Sequence, residues 1–331
     1  MDVKDGGALS RSTNIETMLG PSRYQVFYPE PSKQQHQYHQ RQQEKQSEFE
    51  TFNSNDEINQ QDDEWSENNL ADLTQNVSLP PDSYPGIGRF PCGKLLIFNI
   101  ENLYQASNTS RTYFNPRKGT NKDRDALTQL FLQLGFVVHV FNDVTRKELE
   151  FIMINMVSRG SFQGMNCLFV AFLTHGLEKH LYMIDGKVAI RTVTDYMKGP
   201  NLSGKPKVLI IQACQGESYM GTLEVDGPVA ELKRKTISFP SEADFLYAYS
   251  TAYGYYSWRN GEKGSWFIQG LCKVFRKHAH TMDVVRMLTR VNAIVAQQVS
   301  RTGDPETSGK RQVTSTVSQL RKELYLMPLS L

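Results

Sequence analysis

The chain has 331 residues, 39% of them hydrophobic, and a formal net charge of +2. This length accommodates one large domain with additional segments, and so small a net charge argues against nucleic-acid and membrane-surface partners. The first residues, Met1-Asp2-Val3-Lys4-Asp5, lack the apolar core of a secretion signal, and the longest apolar run, Cys167 to Leu173, is too short to span a bilayer. We therefore expect a cytoplasmic protein.

The cysteines indicate a reducing compartment. The chain has four of them, and they show neither paired nor metal-ligand spacing: Cys92, Cys167, Cys214 and Cys272. We expect no metal ion and no cofactor.

Residues 1–87 differ in composition from the rest of the chain. Between Phe27 and Ile58 there is no Val, Leu, Ile or Met, and glutamine is frequent instead. Such a stretch cannot bury enough apolar surface to offset chain entropy, so we predict that residues 1–87 are disordered. A folded adaptor is the alternative, but it would need amphipathic helices whose periodicity this segment lacks.

From about residue 88 onwards, apolar patterns typical of strands alternate with patterns typical of helices. The predicted elements are strand 94–99, helix 123–134, strand 136–141, helix 145–158, strand 167–173, a hairpin near 181–184, a short helix near 193–197, strand 208–211, strand 245–249, helices 266–278 and 282–299, and strand 324–327. This alternation predicts an α/β fold with a largely parallel sheet and helices on both faces.

Two of these strands end in chemically reactive side chains. Cys214 follows the strand that ends at Ile211, and His175 follows the strand that ends at Leu173. Open α/β sheets carry their chemistry at the carboxyl ends of strands, so the two side chains are expected at one edge. A free cysteine is more often an inert core residue, but the polar neighbours of Cys214 favour a nucleophile activated by histidine. Backbone N–H groups of Gly176 and Cys214 are suitable donors to an oxyanion.

Several motifs carry a resemblance to a known family. Gln212-Ala213-Cys214-Gln215-Gly216 is similar to the caspase pentapeptide. The segments 244–252, 255–260 and 264–269 resemble the small subunit of an executioner caspase, and the resemblance extends over roughly residues 88–328. It implies a three-layer sandwich with a mostly parallel six-stranded sheet, in which residues 245–249 form the fifth strand and residues 324–327 the last.

The resemblance implies a cysteine endopeptidase that cleaves proteins after aspartate and acts in apoptosis. Cys214 and His175 would be catalytic, with the Gly176 N–H in the oxyanion site. Arginine binds a carboxylate through two charge-assisted hydrogen bonds, which suits an aspartate pocket. By resemblance, the residues that bind substrate are Arg117, Gln212, Tyr256, Ser257, Trp258, Arg259 and Trp266.

The resemblance also implies that the protein is made as a zymogen. The long segment 216–241 has no clear helix, and such a loop is usually functional. Within it, Leu223-Glu224-Val225-Asp226-Gly227 resembles an executioner cleavage site, so we expect a cut after Asp226. Residues 1–87 would be a glutamine-rich pro-segment, residues 88–226 the large subunit and residues 227–331 the small subunit. Removal of the pro-segment has three candidate sites, which are Asp56, Asp72 and Asp82.

The expected partners also follow from the resemblance. They are protein substrates with aspartate before the scissile bond, a second copy in a homodimer of large and small subunits, an upstream initiator caspase and inhibitor-of-apoptosis proteins. The segment 303–309 departs from the executioner pattern because it has no aromatic residue, and Val313 stands where a proline is usual. The sequence therefore leaves the preference of the outer substrate pockets open.

Three other functions would each leave a different signature in the sequence. An initiator caspase would need a folded adaptor in the leader. A non-catalytic homologue that regulates an active partner usually lacks the nucleophile, the base or a pocket arginine, and this chain has all of them. A related protease that cleaves after basic residues would need acidic pocket residues in place of Arg117 and Arg259.

Overall fold

The computed structural model describes residues 15–29, 82–84, 91–106, 111–113, 115–177, 179–216 and 243–326. These residues form one main sheet and several small hairpins. The strands of the main sheet are β1 (Tyr24–Phe27), β2 (Gly93–Asn99), β3 (Phe136–Asn142), β4 (Cys167–Leu173), β5 (Lys207–Gln212), β6 (Phe245–Tyr249) and β7 (Ser315–Ser318). Their spatial order is β1-β3-β2-β4-β5-β6-β7.

The five inner strands, β2 to β6, run parallel to one another, whereas the edge strands β1 and β7 are antiparallel to them. The chain first passes from β2 outwards to β3 and then returns to place β4 on the other side of β2. The carboxyl ends of β2 and β4 therefore flank the point where the winding direction reverses. Open α/β sheets bind their ligands at this position.

Helices cover both faces of the sheet. They are α1 (Thr120–Gln133), α2 (Arg146–Ile152), α3 (Ile190–Asp195), α4 (Trp266–His278) and α5 (Val284–Ala296). Alternate residues of β2 face opposite sides: Leu95 and Ile97 pack with α1, α4 and α5, while Leu96 and Phe98 pack with α2 and α3. This two-residue period produces two cores, one on each face, and confirms the predicted three-layer α/β sandwich.

The helix boundaries follow from local capping. The predicted capping box at the start of α2 is present, since the Thr145 side chain accepts from the Glu148 N–H and the Glu148 carboxylate accepts from the Thr145 N–H. The side chains of Ser265 and Asp283 cap α4 and α5 by accepting from backbone N–H groups of the first turn.

Short elements complete the described part of the chain. They are a π-helical turn at Met153–Ser158 after α2, a 3₁₀ turn at Pro200–Leu202, a hairpin of Tyr104–Ala106 with Arg111–Tyr113, a three-stranded unit of Gly176–Leu177, His180–Met183 and Gly186–Ala189, and a hairpin of Arg259–Asn260 with Gly264–Ser265.

The prediction that residues 1–87 are disordered is wrong for residues 15–29. Residues 15–19 are helical, and β1 follows and adds a seventh strand to the sheet, which the sequence had predicted to have six. Ile15, Leu19 and Tyr24 are buried in the core beside α2. These residues precede the apolar-poor stretch, which begins only after Phe27. The prediction of disorder was wrong for them because it applied the composition of that stretch to the whole of residues 1–87.

The prediction of a last strand at residues 324–327 is also wrong. Among the described residues β7 is the last strand, and residues 323 and 325 form only isolated bridges with residues 83 and 283. Leu324 and Leu326 are buried, but they pack beside the start of α5, where the Leu324 carbonyl accepts from the Val284 N–H. The alternating apolar pattern correctly indicated that Leu324 and Leu326 are buried, but not that they lie in a strand. The polar sequence of the edge strand β7 has no such pattern, so this strand was not predicted.

Three of the predicted cleavage sites lie outside the described residues. They are Asp226, with most of the 216–241 linker, and the candidate sites Asp56 and Asp72. Asp82 is described and exposed. Within the ranges given above, none of the helices combines the length and the apolar character that a membrane span requires.

His139 on β3 gives a prediction about stability. It is buried against β1, with its Nδ1 atom 2.9 Å from the Tyr24 hydroxyl, and burial together with the Lys94 charge lowers its pKa from 6.5 to about 3. Between these values the unfolded chain binds a proton that the folded chain does not, so the free energy of unfolding falls as the pH falls. His139 contributes up to about 1.4 kcal/mol per pH unit to this slope.

We expect His139→Gln to weaken the dependence of the free energy of unfolding on pH between pH 6.5 and 5. The decrease should correspond to nearly one proton fewer taken up on unfolding, and urea unfolding at several pH values measures it. The exposed His280→Gln is the control for replacement of a histidine as such, and we expect its free energy of unfolding at neutral pH to stay close to the wild-type value. The pKa of His175 is also lowered, so this residue adds to the pH dependence of the free energy of unfolding with the same sign in wild type and in both variants. Equal slopes in wild type and His139→Gln would contradict the assignment.

Candidate active site

Cys214 lies two residues beyond the carboxyl end of β5. The strand is buried along its whole length and is hydrogen-bonded on both sides, to β4 and β6, whereas Cys214 itself is partly exposed. The other three cysteines are buried in the cores, and burial raises the pKa of Cys92 to about 11 and that of Cys272 to about 12, and raises the pKa of Cys167 as well. Cys214 is thus the one cysteine of the chain that a solute can reach.

His175 reaches the same edge of the sheet from β4. The Thr174 N–H donates to the Gln212 carbonyl at 3.1 Å, which aligns the ends of β4 and β5. A methyl group added at Gly176 would lie 2.6 Å from the Cys214 carbonyl oxygen, so only glycine allows the two loops to approach so closely. The structure therefore brings together the segments that carry the predicted nucleophile, base and oxyanion donor.

The electrostatic environment keeps the imidazole neutral near pH 7. His175 is exposed at its outer surface, but the protein atoms packed around its ring still desolvate it and lower its pKa to about 4. The nearby positive charges of Arg117 and Arg259 lower this pKa in the same direction. A neutral imidazole can accept the proton of a thiol.

Segment 256–258 lies directly beside the thiol. The Ser257 N–H donates to Cys214 Sγ at 3.5 Å, and the Ser257 hydroxyl accepts from Gln212 Nε2 at 2.8 Å. Gln212 is buried, and its Oε1 atom has no hydrogen-bond partner. Rotation of this amide by 180° would let Oε1 accept from the Ser257 hydroxyl and would free both N–H groups of Gln212 for a ligand.

Arg117 is buried at the point where the winding of the sheet reverses. One terminal nitrogen donates to the carbonyls of Ile100 and Leu173, at 3.0 and 2.8 Å, and so joins the ends of β2 and β4. It also donates to the Thr120 hydroxyl at 3.0 Å, while Nε has no partner. Burial and the neighbouring Arg259 charge lower the pKa of Arg117.

Arg259 approaches Arg117 from the C-terminal part of the chain. Its Nε atom donates to the carbonyl of Lys118 at 3.0 Å, and burial lowers its pKa. Among the described residues, neither Arg117 nor Arg259 forms a salt bridge with a carboxylate. The carboxylates of Asp123 and Glu101 act on the two guanidinium groups without forming a salt bridge to either of them. Two neighbouring guanidinium groups without a direct ion pair form a site that favours an anion, and a planar carboxylate fits their geometry.

The aromatic side chains of the site are held on the same hairpin. The rings of Trp258 and Trp266 stack with their centroids 5.9 Å apart. The Trp258 N–H donates to the side chain of Gln312 at 2.7 Å, and the buried Gln312 amide also donates to the carbonyl of Ser250. Gln312 and Lys118 thus support the site through contacts between distant segments, for which the sequence carries no local signal. Tyr256 is partly buried on the same segment.

Asp123 was also missed by sequence reasoning, which placed it only at the start of a helix, where an acidic residue is usual. It lies in the first turn of α1 and is fully buried. Its carboxylate accepts from the Ser265 N–H at 2.9 and 3.1 Å and from Gln269 Nε2 at 2.9 Å. Gly264 has φ +87°, and a side chain there would collide with the same carboxylate. Asp123 therefore anchors the hairpin that carries Arg259 and leads into Trp266.

Comparison with known proteins agrees with this arrangement. The model of the caspase domain matches residues 92–325. This chain belongs to the caspase family. It is 37% identical to caspase-7 of Gallus gallus over 242 residues, which are 70% of this chain and 76% of that protein. It is 39% identical to caspase-3 of Bos taurus over 237 residues (70% and 84%) and 38% identical to caspase-6 of Mus musculus over 251 residues (71% and 89%).

The family identifies the chain as a cysteine-type endopeptidase, directed at aspartate in protein substrates and involved in apoptosis. This confirms the predicted family and the predicted enzyme class. It also agrees with the chemistry of the site, in which an accessible thiol, an imidazole and two unpaired guanidinium groups occupy one edge of the sheet.

We expect Asp123→Asn to weaken substrate binding more than the chemical step. An amide in place of the carboxylate turns a donor towards Gln269 and removes a negative charge near Arg259, so the hairpin should shift. The predicted result is a rise in KM of about 10-fold or more for an aspartyl peptide, with a smaller change in kcat, measured by steady-state kinetics. Asp125→Asn, two residues on and exposed, is the matched control. Equal KM values in the two variants would contradict this role.

Proposed function

We propose that this caspase uses Cys214 as nucleophile and His175 as general acid and base. The observation that carries the proposal is that the one accessible thiol of the chain lies in a loop packed against the His175–Gly176 segment, within electrostatic reach of Arg117 and Arg259. The Cys214 sulfur attacks the carbonyl carbon after its proton passes to His175, and a C–S bond forms. The Gly176 N–H stabilises the oxyanion, and the Ser257 N–H stabilises a thiolate at Sγ.

The remaining steps return the enzyme to its starting state. The peptide C–N bond breaks as His175 gives its proton to the leaving amine. Water then attacks the thioester while His175 takes a proton from it, and a C–O bond forms. The C–S bond breaks, the proton returns from His175 to Cys214 Sγ, and a carboxylic acid leaves. No metal ion or cofactor takes part.

The aspartate pocket is formed by Arg117, Gln212 and Arg259. The substrate carboxylate supplies the negative charge that these residues lack, and the rotated amide of Gln212 donates to it as well. The same carboxylate offsets the two positive charges that lower the pKa of His175, so substrate binding raises this pKa towards the range in which imidazole can protonate an amine. Tyr256, Ser257, Trp258 and Trp266 line the adjoining substrate groove.

We also propose that the protein is an executioner-type zymogen of the cytoplasm, activated by a cut after Asp226 that separates the large and small subunits. The described part of the leader supports the executioner type, because residues 15–29 form one helical turn and one strand of the catalytic sheet and not an adaptor bundle. The outer edge of β7 has no strand beside it among the described residues, which favours a homodimer through this edge. An initiator caspase and inhibitor-of-apoptosis proteins are the proposed regulators.

Cleavage by the protein itself tests this proposal. We expect the purified wild-type chain to yield two pieces whose intact masses place the cut after Asp226, while Asp226→Ala remains joined and Cys214→Ala remains uncut on its own. Asp304→Ala, at an exposed aspartate of the small subunit, is the control and should be processed like wild type. A wild-type rate of separation in Asp226→Ala would refute the assigned site.

A further inference from the structure

Residues 15–29, which we call the N-terminal strap, pair with the catalytic sheet along its outer edge. The register of β1 with β3 runs from Tyr24 opposite Phe141 to Phe27 opposite Val138. The Asn142 N–H extends it by donating to the Arg23 carbonyl at 2.8 Å. The strap thereby covers an edge of β3 that would otherwise expose unpaired backbone groups.

The strap also contributes side chains to the core. Ile15 is 0% exposed, Leu19 6% and Tyr24 3%, and they belong to the same core as Phe141 of β3 and Leu149 of α2. The Tyr24 ring stacks on Phe141 with centroids 5.0 Å apart. This degree of burial is typical of an integral element and not of a loosely attached leader.

A polar contact fixes the strap at its turn. The Arg23 guanidinium binds both carboxylate oxygens of Glu148, the residue that also caps α2. It donates in addition to the carbonyl of Asp143 at 3.3 Å. Asp143 has φ 50°, a left-handed conformation that is uncommon for a residue other than glycine. Arg23 therefore helps to hold this strained turn at the end of β3.

We propose that the N-terminal strap is a permanent component of the catalytic unit. A cut anywhere in residues 30–81 leaves it bound to β3 and α2 without a covalent link, so the N-terminal piece remains with the catalytic unit after processing. The proposal rests on the contacts of the strap alone and does not depend on the proposed catalytic roles or on the cut after Asp226.

The experiment uses the full chain with Cys214→Ala, so that no self-cleavage occurs. A recognition sequence for a sequence-specific viral protease is inserted after Gln46, the protein is cut, and the products are separated by gel filtration at micromolar concentration. We expect the N-terminal piece to elute with the catalytic unit, and to separate from it only in denaturant. Elution of the N-terminal piece by itself under native conditions would overturn the proposal.

Two tyrosines of the strap provide matched variants. Tyr24→Ala removes the buried ring, and we expect it to increase the dissociation constant of the cut N-terminal piece at least tenfold. Tyr28 is 68% exposed, so Tyr28→Ala should leave retention unchanged. If Tyr24→Ala prevents folding, Arg23→Ala is measured instead and should also accelerate release. Equal retention of wild type and of the Tyr24 or Arg23 variant would show that these contacts do not hold the piece, and would also overturn the proposal.

Discussion

Replacement of Cys214 by alanine is expected to lower kcat/KM for an aspartyl peptide by at least about 10⁴-fold, because no other group of the site can form the acyl intermediate. His175 and the pocket arginines remain in place, so the variant should still bind substrate. A fluorogenic peptide assay with an enzyme concentration high enough to detect slow turnover measures this loss. A variant that keeps more than about 1% of the activity would contradict the role of Cys214 as nucleophile.

Cys272→Ala provides the control for the loss of a thiol as such. Cys272 is buried in α4, and burial raises its pKa to about 12, so it contributes packing and no reactivity. We expect this variant to be somewhat less stable and to keep kcat/KM within a small factor of the wild-type value. A thiol-alkylating reagent should correspondingly block wild type and Cys272→Ala but find no reactive site in folded Cys214→Ala.

The second large effect is expected for Arg117→Lys. Lysine keeps the positive charge but cannot bridge the carbonyls of Ile100 and Leu173 and also present a planar pair of donors to a carboxylate. Loss of two charge-assisted hydrogen bonds, at about 1.5–3 kcal/mol each, corresponds to a fall in kcat/KM of about 10²- to 10⁴-fold for an aspartyl peptide. Steady-state kinetics on the folded variant, with thermal unfolding as a check of integrity, measure this effect.

Arg276→Lys is the matched control, since Arg276 is exposed in the last turn of α4. It should behave like wild type in both assays. If Arg117→Lys folds and hydrolyses aspartyl peptides at the wild-type rate, Arg117 is only a structural link between β2 and β4 and the aspartate pocket lies elsewhere.

The central part of the fold could be predicted from the sequence because its strands are buried on both faces. Val208 to Ile211 and Cys167 to Leu173 are continuous apolar runs that end in turns, and this pattern placed both the strands and the reactive residues that follow them. The edges of the sheet were predicted less well. β7 is a short polar strand, and β1 lies close to an apolar-poor stretch whose composition obscured it.

The candidate site could be inferred from the sequence where its residues carry a motif. Cys214, His175 and the proposed aspartate pocket were inferred from strand ends and from family resemblance. Asp123 and Gln312 could not be found in this way, because each acts through hydrogen bonds to segments more than fifty residues away along the chain. In sequence, Asp123 has the appearance of an ordinary first-turn helix residue, and only the fold shows that its carboxylate is buried beneath the Arg259 hairpin.

The most direct test of the account compares two peptides that differ only in aspartate or asparagine before the scissile bond. The two side chains have nearly the same shape, so the comparison isolates the charge that Arg117 and Arg259 lack. We predict that kcat/KM of the processed wild-type enzyme is at least about 10³-fold higher for the aspartyl peptide, since the neutral amide leaves buried guanidinium groups unpaired. Similar values for the two peptides would contradict the assignment of this pocket.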